Sequence, residues 1–336
     1  MTESPGAAAD AYAVNGAGPG SDARAGAWGA APGPAGAHCG APGDAGAQGA
    51  AAEPAQGPRR PALSPSRAAD FKQCPLLYRF RAIDRLPELP TRAQVRGTLV
   101  HAVLERLYDL PACARHPAAA HALVEPEWAR LCAEMPELLE ALFAGPDDPE
   151  LAEWLASAEP LLDTYFRLED PRRLEPSARE LLVEAELPSG VLLRGYVDRL
   201  DVTPTGQVRI VDYKTGAAPR PVAEARALFQ MKFYALVLLY LRGAVPAQLR
   251  LLYLTDGESL TYEPDEAQLH RFARTLEAIW AAILAADAEG EFQPNPSRFC
   301  EWCSHRPVCP AWGGQPPAYP GWPGDPVEET PADRAG

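Results

Sequence analysis

From Leu63 onward the apolar positions switch between helical and strand periods. Arg92 to Leu110 (RAQVRGTLVHAVLERLYDL) sets Val95, Leu99, Val103 and Leu107 on one helical stripe. Gly97, His101 and Glu105 recur four residues apart and share another face of the same predicted helix. Upstream, LSPSRAADFKQCPLLYRF reads as a helix that starts near Ser64 or Ser66, where Ser and Pro supply the start signals. Residues 111 to about 177 are Ala- and Glu-rich and helical in pattern, broken by Pro117, Pro126, Pro136, Pro149 and Pro160. This stretch reads as a helical insertion.

The pattern then changes to strands. ELLVEAELPSGVLLRGYVDRLDVT holds two of them around the turn signal Pro188-Ser189-Gly190, and Pro204-Thr205-Gly206 marks the next turn. In QVRIVDYK, Val208, Ile210, Asp212 and Lys214 fall on one face; Arg209, Val211 and Tyr213 fall on the other. VAEARALFQMKFYALVLLYLRG predicts a helix ended by Gly243, QLRLLYLTDG a further strand, and DEAQLHRFARTLEAIWAAILAAD a long helix. Helices and strands in this order predict an α/β domain with a mixed sheet.

Composition bounds that domain. Residues 1–62 are dominated by Ala, Gly and Pro, and the stretch 313–336 is again rich in Pro, Gly and acids. Neither holds enough apolar surface to offset its ordering entropy, so both are expected to be disordered tails around one domain over 63–312. The sequence opens without a basic, apolar leader pattern and holds no apolar run long enough for a bilayer, so the expected location is cytoplasmic, with no membrane partner. The net charge of -14 weighs against strong nonspecific binding to nucleic acid. Its distribution softens that objection. Arg67 to Arg106 carries eight Lys/Arg against four Asp/Glu, whereas Glu125 to Glu186 carries five Arg against seventeen Asp/Glu.

The candidate chemistry lies in GYVDRLDVTPTGQVRIVDYKTG, Gly195 to Gly216. Asp212 and Lys214 leave the end of an apolar strand on one face, and Asp198 lies opposite across the hairpin. An acid and a lysine there are costly unless paired or used. Two converging carboxylates offer the hard oxygen ligands that suit Mg²⁺ or Mn²⁺. On spacing alone a second reading stands beside this one: an ion pair of Asp212 with Lys214 at the sheet edge, with Asp198 and Asp201 solvated near the turn. A lone His101 on an amphipathic helix is open to the same double reading, as a packed residue or as a ligand.

GYVDRLD followed by IVDYKTG resembles the core of the PD-(D/E)XK nuclease superfamily, in particular its RecB-like exonuclease branch. RGTLVH, ending at His101, and QMKFY, Gln230 to Tyr234, match that branch's flanking helical motifs in the same order. The resemblance implies a restriction-endonuclease-like core with a mixed central sheet flanked by helices. It implies that Asp198 and Asp212 bind the divalent metal, with His101 as a further ligand and the carbonyl of Tyr213 completing the set. Lys214 would orient or activate the attacking water, and Gln230 and Tyr234, one helical turn apart, would contact the scissile strand. Asp201 suits a structural role, as a partner for Arg199; Glu184 or Glu186 could be an outer-shell acid.

FCEWCSHRPVCP sets Cys300, Cys303 and Cys309 at metal-ligand spacing and ends in a Cys-Pro step. His305 could complete a Zn²⁺ site locally. The resemblance implies instead a [4Fe–4S] cluster whose first ligand precedes the nuclease motifs, and Cys74 in FKQCPLLYRF matches that position. Phe71, Tyr78 and Phe80 near Cys74 read as core or as base-stacking surface beside Arg79 and Arg81.

The expected activity is metal-dependent hydrolysis of phosphodiester bonds in DNA, as an exonuclease acting on single strands or ends in repair or recombination. The sequence has no G-x-x-x-x-G-K-[ST] motif, so either it works alone on ends or flaps or a separate helicase subunit feeds it. The alternative is a non-catalytic iron–sulfur- or zinc-stabilised DNA-binding subunit of a helicase–nuclease or CRISPR-adaptation-type complex.

Overall fold

A computed structural model describes residues 61–218 and 224–322. The expected N-terminal tail, but for its last residues, and the end of the C-terminal one lie outside the described residues. The chain forms two compact units. One takes in Leu89–Ala185 and Arg194–Phe272; the other takes in Glu186–Leu193 with the described residues up to Glu88 and from Ala273.

The second unit opens with α1 (Pro65–Gln73), capped by Ser64, whose hydroxyl accepts from the Arg67 amide, with Pro65 at the first helical position. The single helix expected through Phe80 is broken at Cys74, which is extended because Pro75 follows it. Pro75 then starts α2 (Pro75–Tyr78), which runs into a π-helical turn, Arg79–Ile83. Tyr78 and Phe80 are each 2% exposed, so they pack as core and present no face to a base. The expected tail from Gly313 is corrected as far as Trp322. Tyr319 packs on Phe292 and lies under the Arg79 guanidinium, Trp322 meets Trp280, and Arg79 donates to the Pro317 carbonyl. Ring contacts and hydrogen bonds together anchor a stretch that its Pro and Gly content marks as unstructured.

In the first unit, Thr91 and Gln94 form a reciprocal capping box at the start of α3 (Arg92–Leu107). The predicted stripe Val95, Leu99, Val103 and Leu107 is buried throughout. It packs into a core supplied by the insertion: α4 (Pro117–His121), α5 (Val124–Glu134), α6 (Leu138–Leu142), α7 (Pro149–Ala156) and α8 (Glu159–Leu168). Trp128, Phe143 and Trp154 meet edge to face at its centre, with ring centroids 5.1–6.1 Å apart.

The sheet has five strands in the order β1 (Ala178–Glu186), β2 (Leu192–Val202), β3 (Val208–Lys214), β4 (Gln248–Tyr253) and β5 (Glu258–Tyr262). β2 and β3 form the predicted antiparallel hairpin, with Arg199 opposite Val211. β3 and β4 are parallel, so a crossover is required, and α9 (Glu224–Arg242) supplies it. Residues Phe233 to Leu239 of α9 are all buried, and Gly243 ends the helix with φ +65°. β5 pairs antiparallel with β4, so the parallel β3–β4 pair sits between antiparallel pairs in a mixed sheet. The sequence reading ran β4 into its turn without separating β5. β3 is therefore central, and Val211 and Tyr213 on one of its faces join the insertion core. The long helix α10 spans Glu266–Glu289. Among the described residues no helix is long and apolar enough to cross a membrane.

Candidate metal and active site

β2, β3 and α3 bring His101, Asp198, Asp212, Tyr213 and Lys214 together. The Tyr213 amide donates to Asp198 Oδ2 at 2.8 Å, and the Tyr213 carbonyl oxygen lies 2.9 Å from His101 Nε2. Its ring meets the imidazole edge-on, with centroids 5.8 Å apart. With the Nε2 proton given to that carbonyl, Nδ1 keeps its lone pair and faces Asp198 Oδ2 at 3.4 Å.

A third acid completes this face. His101, Glu180 and Asp198 each offer one ligand atom within 4.8 Å of the others. Glu180 lies on β1 with φ +42°, a left-handed backbone that a residue other than glycine adopts at a cost of roughly 1–3 kcal/mol. Burial, then the charges of Asp198, Glu105 and Asp212, push its carboxyl up to about 9. Of the two acids expected as outer-shell candidates, Glu184 or Glu186, Glu184 pairs with Arg194.

Asp212 stands beside the triad in a hydrogen-bonded chain. It is 2% exposed, with Lys214 Nζ 2.7 Å from Oδ2. Gln230 on α9 donates to Asp212 Oδ1 at 3.1 Å and accepts from Lys214 at 2.9 Å. The same amide lies 3.2 Å from the Tyr234 hydroxyl one turn on. Burial raises the Asp212 carboxyl to about 6, against the lowering pull of Lys214. Burial likewise holds the Tyr234 phenol well above its usual range. The sheet-edge ion pair with solvated neighbours is thus corrected in its setting. The pair exists, but on a central strand, and Asp198 and Asp201 keep only 11% and 16% of their side-chain surface exposed.

Gly97 explains how close α3 comes. A Cβ there would stand 3.0 Å from Thr215 Oγ1, one residue beyond Lys214. Asp201 takes the structural role expected of it: Arg199 Nε lies 3.1 Å from Oδ1, and Arg209 donates to Oδ2 at 2.8 Å.

In the other unit, Cys74, Cys300, Cys303 and Cys309 line one cavity together with Leu76, Phe80 and Pro294. The Asn295 and Ser297 amides each donate to a sulfur, Cys74 and Cys300 respectively, at 3.3 Å. His305, the local zinc candidate, is buried with Nε2 2.7 Å from Glu88 and its ring against Phe80. Burial raises the Cys303 thiol.

Comparison with known proteins adds to this geometry. The sequence pattern of a family described as the PD-(D/E)XK nuclease superfamily matches residues 62–310. The chain is 24% identical over 294 residues to the "Gene 69 protein" of Mycobacterium phage D29, covering 75% of this chain and 97% of that one. Among solved structures it is similar to a "Putative exonuclease" from Eubacterium rectale, with a TM-score of 0.50 at 15% identity over 73% of this chain and 87% of that one. That likeness is one of fold.

Proposed function

Since the chain belongs to the PD-(D/E)XK nuclease superfamily, we propose that it is a Mg²⁺- or Mn²⁺-dependent deoxyribonuclease that works as an exonuclease on single strands or ends. The observation that carries this reading is the convergence of His101, Glu180 and Asp198 beside Asp212 and Lys214. Two carboxylates and an imidazole fit a small divalent cation that keeps several of its waters. The raised carboxyl of Glu180 fits too: acids crowd there without enough positive charge to hold them ionised.

A bound Mg²⁺ or Mn²⁺ would neutralise the scissile phosphate and make its water easier to deprotonate. Asp198 and Glu180 would hold it, with His101 as the nitrogen donor. The Tyr213 amide fixes the Asp198 oxygen, and the Tyr213 carbonyl sets the imidazole. Asp212, the other expected metal ligand, stands at the Lys214 end of the site. Lys214, held between Asp212 and Gln230, presents its ammonium to the attacking water and to charge developing on the phosphate. Gln230 lines the approach of the strand, and the buried Tyr234 supports it from behind rather than meeting the strand itself.

We read the four cysteines that line one cavity, Cys74, Cys300, Cys303 and Cys309, as ligands of a [4Fe–4S] cluster, with Zn²⁺ as the alternative. In this reading the protein acts in DNA repair or recombination, with a separate helicase supplying strands.

Labelled single- and double-stranded DNA incubated with Mg²⁺ or Mn²⁺ tests the activity. Metal-dependent shortening from an end supports it; binding without cleavage, under either metal, would leave only a scaffolding subunit.

A further inference from the structure

Arg199 has no surface exposed to solvent. A buried guanidinium is expensive unless its donors are used. Here they are spread over five side chains, Tyr165 the most distant at 3.4 Å. Nη1 and Nη2 fork onto Glu169 at 2.8 and 3.1 Å, Nη1 reaches the Tyr213 hydroxyl at 2.9 Å and the Tyr108 hydroxyl at 3.1 Å, and Asp201 accepts at 3.2 Å. Glu169 ends α8, within the helical insertion, and is held in turn by Arg250 at 3.0 Å.

Tyr213 connects this cluster to the reaction site. Its phenol lies on the insertion face of β3, while its main chain lies between Asp212 and Lys214. Three of its groups touch the candidate metal ligands: the amide holds Asp198, the carbonyl faces His101 Nε2, and the ring meets the imidazole. The hydroxyl thus anchors the residue whose main chain and ring meet both ligands, and limits where that residue can sit. Tyr165 packs edge-on against the same ring, at 5.7 Å, but reaches Arg199 only at 3.4 Å.

We propose that Arg199 is a positioning residue. Clamped by Glu169, it fixes the Tyr213 hydroxyl and so sets the separation of His101 and Asp198 that a divalent cation requires. The acidic insertion thereby contributes one carboxylate, Glu169, to the affinity of a metal site it never touches. The inference rests on the nuclease reading above for its metal, but its test needs no DNA.

Heat of Mn²⁺ binding to the full chain, stripped of divalent metal, gives the readout. Tyr213→Phe keeps the ring and removes only the hydroxyl. Groups that orient metal ligands typically change affinity by about 10- to 100-fold when removed, and that loss is expected here. Tyr165→Phe removes a hydroxyl of equal burial from the same cluster and is expected to stay within about twofold of the parent. A merely structural role would weaken both variants alike, in step with their thermal stability. Glu169→Gln is the second arm: it keeps the shape, removes the charge that clamps Arg199, and should weaken Mn²⁺ in the same direction. Parent-like affinity in a folded Tyr213→Phe overturns the proposal; so does equal loss in Tyr165→Phe. Absence of Mn²⁺ binding to the parent overturns both this inference and the metal reading. Binding to the parent without DNA cleavage sinks only the nuclease reading.

Discussion

Lys214 Nζ lies 2.7 Å from Asp212 Oδ2, two positions along one strand, and the Gln230 amide closes the pair from α9. The ammonium is therefore held by two acceptors, and its direction is fixed before any substrate arrives. Lys214→Ala and Asp212→Ala are each expected to reduce DNA cleavage by at least ~100-fold with the fold retained. Single-turnover cleavage, with circular dichroism as the control, checks this. Parent-like rates in both variants would remove the site assignment.

The raised carboxyls give the metal-free protein a definite pH dependence. Glu180 is held up to about 9 against an ordinary 4.5, so over that interval the folded chain keeps a proton that the unfolded chain has lost. Stability from this group therefore falls as pH climbs from 4.5 towards about 9. Asp212 adds a fall of the same sign between 3.8 and about 6. Urea unfolding at about pH 5 and about pH 9 should show the decline, and saturating Mn²⁺ should reduce it by favouring the ionised forms. Glu180→Gln should flatten the alkaline part of the slope while weakening Mn²⁺ binding. A parent slope that rises with pH across this range contradicts the assignment.

Gly97 permits α3 to lie against the end of β3. Gly97→Val would drive branched carbons into Thr215, where even a Cβ stands at 3.0 Å. His101, one turn further along α3, would be displaced with it. Displacements of about 1 Å at a reacting centre cost on the order of 10²-fold in rate. Cleavage should fall by that order while melting changes modestly; unchanged cleavage would mean that Thr215 yields without moving the helix.

If Cys74, Cys300, Cys303 and Cys309 hold an iron–sulfur cluster, Cys74→Ser should strip the visible absorbance of anaerobically purified protein and lower its thermal stability. Cys132→Ser, outside that cavity, should leave the absorbance unchanged. Stoichiometric zinc and a colourless parent protein would favour the alternative metal.

Much of the site was legible because its residues obey simple periods. Gly97 and His101 follow the helical repeat of α3, Gln230 and Tyr234 that of α9, and Asp212 and Lys214 the strand repeat of β3. Glu180 escaped because nothing in the local pattern set it apart from the other acids of its strand. Only Glu184 and Glu186 were named on that strand, although Glu180 shares their parity, and its positive φ is not visible in the sequence. A signal was present nonetheless: Leu187 and Val191 close the hairpin, and Glu180 and Asp198 each lie seven positions out from that closure. The service of Glu169 to Arg199 was not legible at all. It depends on how the insertion packs against β3, and no local pattern encodes a contact between residues thirty positions apart.

Asn295 also donates to the carbonyl of Gln73 through its side chain, across 222 positions of chain. During synthesis, the first described helix must therefore wait for this partner until more than two hundred further residues have been made. A product terminated early, before Asn295, would carry Cys74 and its apolar surroundings uncovered.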